Sequence, residues 1–86
     1  MVNLREIGTG TLPVSGPGTQ STVTISSVDI QAADVIILTE TKRVKDGEGY
    51  FAPYVSSVAA GSFVAAGDKN QLPETLTFNY VAFSSS

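Results

Sequence analysis

The residue types able to do covalent chemistry are few in this chain and poorly spaced for it. Neither histidine nor cysteine occurs among its 86 residues. A serine hydroxyl therefore lacks the imidazole that would take its proton, and zinc, copper and haem lack their usual ligands. A serine–lysine pair is the nucleophilic arrangement left, with Lys45 or Lys69 as base. Both lysines lie in glycine-rich turns, where burial sufficient to lower an ammonium pKa is hard to arrange. Among the acids, Asp46 and Glu48 alternate on one stretch and Asp68 lies in another. Acid–base work by two carboxylates needs surroundings that drive their pKa values apart, which exposed turns do not supply. No calcium-binding loop with oxygen ligands at alternating positions is present. The expectation is a protein that is not an enzyme and that needs no metal or cofactor.

Groups suited to binding are easier to find. Lys42-Arg43-Val44-Lys45 is a compact basic patch followed at once by Asp46 and Glu48. Such a mixture reads first as a solvated hairpin end, and second as a contact for an acidic surface on a neighbouring subunit. Phe51, Phe63, Phe78 and Phe83 read as core, and Tyr50, Tyr54 and Tyr80, whose polar tips suit a wet interface or a sugar ring, read as core or subunit interface ahead of a glycan platform. Gly8-Thr9-Gly10-Thr11 and Ser15-Gly16-Pro17-Gly18 lack the lysine and helix start of a phosphate-binding loop, so bulge or turn is the better account. The Thr-x-Thr pairs at 9/11, 22/24, 39/41 and 75/77 are unequally spaced, which fits the wet side of ordinary strands rather than a stacked solenoid. The candidate partner contacts are Arg5, Lys42, Arg43, Lys45, Asp46, Glu48, Tyr50 and Tyr54.

Composition sets the frame for these groups. A net charge of −3 does not favour phosphate backbones or anionic membranes, so neither nucleic acid nor membrane is an expected partner. No apolar run approaches the ~18–20 residues that span a bilayer, and residues 1–6 do not form a secretory leader. The expectation is a complete protein made in the cytoplasm as a single domain over residues 1–86. A chain of this size buries roughly 60–65% of its unfolded surface and has no disulfide to compensate. Association with copies of itself would bury more.

The elements that must position these residues have a period of two. Thr22 to Ser26 alternates apolar with hydroxyl side chains, and Leu76, Phe78 and Tyr80 alternate with Thr75, Thr77 and Asn79. Val35-Ile36-Ile37-Leu38 is apolar throughout and predicts a central strand covered on both faces. Weaker strand patterns fall at 5–14, at 50–58, where Pro53 requires an edge or bulge, and at 62–66. Only residues 29–33 could make a helical turn. Residues 1–7 are expected to be an arm or first strand, and residues 84–86 a frayed tail. About six short strands separated by turns predict an all-β fold, a small antiparallel β-sandwich.

The order of these features carries a resemblance. Gly8-Thr9-Gly10-Thr11-Leu12 leads to the Thr22–Ser26 strand, then to Asp29-Ile30-Gln31-Ala32-Ala33-Asp34 and Val35-Ile36-Ile37-Leu38-Thr39. Val55-Ser56-Ser57-Val58-Ala59-Ala60-Gly61-Ser62-Phe63 and Leu76-Thr77-Phe78-Asn79-Tyr80-Val81-Ala82 follow. This resembles the small β-sandwich domains of tailed-phage virion proteins, and in outline H-type lectin domains. It departs from them in the charged 42–49 loop and in having no tryptophan on the final strand. The resemblance implies a structural protein of the virion surface, a homotrimer acting as a capsid decoration (cement) protein on the major capsid protein or other virion proteins. Its contacts would come from strand edges, a flexible segment 1–7 and the charged 42–48 loop. The alternative it implies is a receptor- or glycan-binding module of a tail fibre or spike.

Overall fold

The computed structural model describes residues 3–46 and 49–84. Eight β-strands run through them: β1 (Leu4–Leu12), β2 (Thr22–Ser26), β3 (Val35–Glu40), β4 (Lys45–Asp46), β5 (Gly49–Tyr50), β6 (Pro53–Ala59), β7 (Ser62–Gly67) and β8 (Leu76–Phe83). No helix occurs among the described residues. Two antiparallel three-stranded sheets, ordered β1-β8-β3 and β2-β7-β6, carry the fold, and β4-β5 forms a small hairpin beside them. The all-β antiparallel expectation holds.

The two sheets share one core because alternate residues of each point into it. From β8 come Leu76, Phe78, Tyr80 and Ala82, all at most 5% exposed, and from β7 come Phe63 and Ala65. The Phe63 and Tyr80 rings meet edge to face between the sheets, with centroids 4.9 Å apart, a geometry favoured by ring quadrupoles. β1 lies against β2 and β3 against β6, so each sheet covers one face of the other.

Gly8 and Gly10 have a specific task in this arrangement. Both sit mid-strand in unbroken register, opposite Tyr80 and Phe78, so the expected bulge or turn there is replaced by regular strand. A Cβ on Gly8 would lie 2.5 Å from the Tyr80 ring, and one on Gly10 would lie 2.5 Å from the Phe78 ring. The glycines let two large rings lie across β1. The register shift falls instead between Leu4 and Glu6.

Several other expectations change. Val35–Glu40 is an edge strand, not a central one, and Val35 and Ile37 face away from the core at 51% and 53% exposure. The chain supplies only one covering layer, so the second apolar face of this run stays open. Of the two readings for residues 1–7, arm or first strand, Leu4 to Ile7 takes the strand, held in β1 against β8. Phe83 lies on the outward register of β8 and is only half-buried, whereas Tyr80 is core. Residues 28–34 form two hydrogen-bonded turns, Ser27–Ile30 and Gln31–Asp34, without a helix. Ser84 is 3% exposed rather than frayed: its N–H donates to the Asn3 carbonyl at 2.7 Å, and its Oγ accepts from the Asn3 N–H at 2.9 Å. Residues 85 and 86 lie outside the described part.

The turns follow the sequence closely. Thr19 N–H donates to the Gly16 carbonyl at 3.1 Å, with Pro17 and Gly18 between and Gly18 at φ +78°. That is the type II pattern, in which proline presets the first central residue and glycine takes the positive φ. Ala60-Gly61 closes the β6–β7 hairpin, with Gly61 at φ +87°. Pro53 begins the edge strand β6, where its missing N–H is tolerated.

Candidate interaction surfaces

Of the charged residues singled out in the sequence, Lys42, Arg43, Lys45 and Asp46 lie in or beside the β4–β5 hairpin. Val44 anchors the segment: it is 1% exposed, and its carbonyl accepts from Phe51 N–H at 2.9 Å. Lys42 reaches Glu74 at 2.7 Å, with both side chains more than half exposed. Arg43 approaches Glu40 at 3.9 Å and lies over the Tyr50 ring, 4.9 Å from its centroid. Lys45 stands opposite Tyr50 in the hairpin ladder. Lys69 lies 5.3 Å from the centroid of Phe51. The basic patch is thus largely matched by acids and rings of its own chain, and exposed pairs of this kind contribute roughly 0–1 kcal/mol each. Asp46 pairs with Gly49 through the backbone; its side chain and all of Glu48 lie outside the described residues.

The remaining candidates sit elsewhere. Arg5, beside the register shift of β1, contacts Asp34 at 3.4 Å, and the other Asp34 oxygen accepts from Gln31 N–H at 2.9 Å. Tyr54 is on β6, and its hydroxyl accepts from Gln20 Nε2 at 2.7 Å. Tyr50 and Tyr54 are therefore held by different partners on different elements.

Hydroxyls and carboxylates inside the fold make structural bonds. Glu6 occupies an inward position of β1, where one oxygen accepts from Tyr80 Oη at 2.7 Å and the other from Ser27 Oγ at 2.6 Å. The Tyr80 hydroxyl is pushed up from 10.0 to about 12, first by burial, then by its hydrogen bond to Glu6 and the charge there. Its ordinary role is donor, locking the β1 edge to the centre of the fold. Ser21, 2% exposed, donates to the Pro13 carbonyl. No group of three or more His, Cys, Asp or Glu among the described residues could hold a metal ion. Among the described residues no helix is long and apolar enough to cross a membrane.

The surface that sequence reasoning missed is the outer face of β1-β8-β3. Register places its outward residues in rows across the sheet: Thr9–Asn79–Thr39, then Ile7–Val81–Ile37, then Leu4–Phe83–Val35. Thr11 and Thr77 lead the rows, flanked by Thr41, whose N–H donates to the Thr77 carbonyl. One end of the face is thus hydroxyl-rich and the other apolar, with Leu4 56% and Ile7 67% exposed. The outer face of β2-β7-β6 is different: Thr22–Ala66–Tyr54, Thr24–Val64–Ser57 and Ser26–Ser62–Ala59 are mostly small or hydroxyl-bearing. The only sequence signal for the apolar face was the unbroken 35–38 run, whose second face had to meet something.

No protein-family model, curated protein or solved structure matches this chain.

Proposed function

We propose that this chain is a non-enzymatic assembly protein, a β-sandwich module that works by covering other protein surfaces and does no covalent chemistry. The observation that carries the reading is the apolar end of the β1-β8-β3 face. Six apolar side chains from three strands share it, and contiguous exposed apolar surface of this kind marks an interaction site. The absence of histidine and cysteine and the internal pairing of the exposed cations agree with it.

In its most specific form the proposal follows the resemblance to tailed-phage virion domains: a homotrimeric capsid decoration protein that binds the outer surface of the head. The receptor- or glycan-binding alternative would use Tyr50 and Tyr54 as a shared platform, and their separate engagement with Arg43 and Gln20 weighs against it.

The test is co-sedimentation of the purified protein with a panel of undecorated phage heads, with a glycan array run alongside. The decoration reading expects saturable pelleting with heads and an empty array. Pelleting with none of the heads, together with a sugar hit, would replace it by the receptor-binding reading.

A further inference from the structure

We infer that the outer face of β1-β8-β3 is the contact between copies of this chain. The copies are arranged about an axis running parallel to β8 in front of the sheet, with Ile7 of one copy against Ile37 of the next. This rests on the assembly reading above and adds its contact surface. Three observations select a second copy as the occupant.

The first is the side-to-side symmetry of the rows. Across β8 the residues read Thr–Asn–Thr, Ile–Val–Ile and Leu–Phe–Val. A symmetric contact brings the same patch onto itself, so each row must be compatible with its own reverse. An axis parallel to β8 keeps every row at its own level and exchanges β1 for β3. Isoleucine then meets isoleucine, and threonine meets threonine. A two-fold dimer meets this condition directly; in the homotrimer proposed above the contact is heterologous, the β1 side of one copy meeting the β3 side of the next, and the same rows pair.

The second is charge. The chain carries a net −3, yet no residue in these rows is charged. Arg5, next to Leu4 in β1, is already paired with Asp34. Two copies can therefore meet here without like-charge repulsion, whereas a strongly charged partner would find nothing to pair with.

The third is area. Three strands about 4.8 Å apart and six to nine residues long, at about 3.4 Å per residue, give a footprint of roughly 15 by 25 Å. With side-chain relief that is about 600 Å² of accessible surface per copy, so a pair buries about 1,200 Å², the lower bound for a specific interface. A dissociation constant on the order of micromolar is compatible with an interface of this size.

The outer face of β2-β7-β6 offers no equivalent rows and serves as the control. Sedimentation velocity between about 1 and 100 µM should show a concentration-dependent dimer or trimer. Ile37→Glu should weaken association at least about 30-fold by burying an unpaired charge, and Thr24→Glu on the opposite face should leave it unchanged. Unaltered circular dichroism would verify that both variants fold, as expected for outward positions. Because the chain has no cysteine, an Ile7→Cys variant mixed with an Ile37→Cys variant should be joined by a short bis-maleimide that spans the roughly 10 Å between facing sheets, and neither alone should be joined efficiently.

A monomer at 100 µM overturns the inference, as does an oligomer indifferent to Ile37→Glu or equally lost with Thr24→Glu. A monomer that still pellets with phage heads would overturn this contact and leave the decoration reading standing. An oligomer that dissociates on Ile37→Glu but ignores heads would support this contact and sink the decoration reading.

Discussion

A methyl group added at Gly10 would sit 2.5 Å from the Phe78 ring and 2.9 Å from Ile25 Cδ1, in the middle of a strand that cannot easily retreat. Gly10→Ala should therefore cost about 1–3 kcal/mol through overpacking. Gly16→Ala, with nothing within 4 Å of the new carbon, should stay within about 0.5 kcal/mol of the parent. Urea midpoints measured side by side would reveal the difference, and equal midpoints would refute the close-packing account of β1. Tyr80 offers a second residue-scale check. Its folded pKa lies near 12 against 10.0 for the free side chain, so the neutral phenol is the form the fold favours. The resulting stability is fully present below pH 10 and is lost as pH rises from about 10 to 12. Urea unfolding at stepped alkaline pH should show that decline. Tyr80→Phe should flatten it while lowering stability at neutral pH by about 1–2 kcal/mol, since Glu6 loses a buried donor.

At the scale of elements, β3 has one face that matters to folding and one that does not. Leu38 points into the core and Thr39 points out. Leu38→Ala should thus cost about 2–3 kcal/mol, whereas Thr39→Ala should change the unfolding midpoint little. Comparable losses for both would mean that the assigned strand orientation is wrong. The strands themselves were legible wherever one face is wet: Thr22–Ser26 and Leu76–Tyr80 announce their alternation, and Pro53 announces an edge. Where apolar residues fill both faces, as in Val35-Ile36-Ile37-Leu38, a single chain's sequence states that both faces need cover but not what supplies it. The pattern therefore predicts a sheet centre, and the structure places the run at an edge. Gly8 and Gly10 misled for a related reason. The rings that require them lie about seventy residues away on β8, and no local pattern connects the two. The charged 42–48 stretch reads as a hairpin end, and β4–β5 supplies one, although two-residue strands have no period that would give their bounds. The charged candidates at that hairpin were found by type, but their partners Glu40 and Glu74 could be named only from the fold.

For the whole molecule, the decisive contacts join distant parts of the chain. β8, the last strand, is the centre of its sheet and pairs with β1, the first. Closing so long a loop costs entropy before any of the core is gained, so folding should be slow for the size. Stopped-flow refolding should give relaxations in the range of about milliseconds to seconds; microsecond folding would be inconsistent with this topology. The same pairing brings Asn3 and Ser84 side by side through two hydrogen bonds. A short splice between these residues would barely strain the backbone, and a new opening could be cut at the exposed Gly16-Pro17-Gly18 turn. The domain is thus suited to circular permutation. By the same token it could be grafted through Asn3 and Ser84 into a surface loop of a host protein, presenting the β1-β8-β3 face from a single point of attachment.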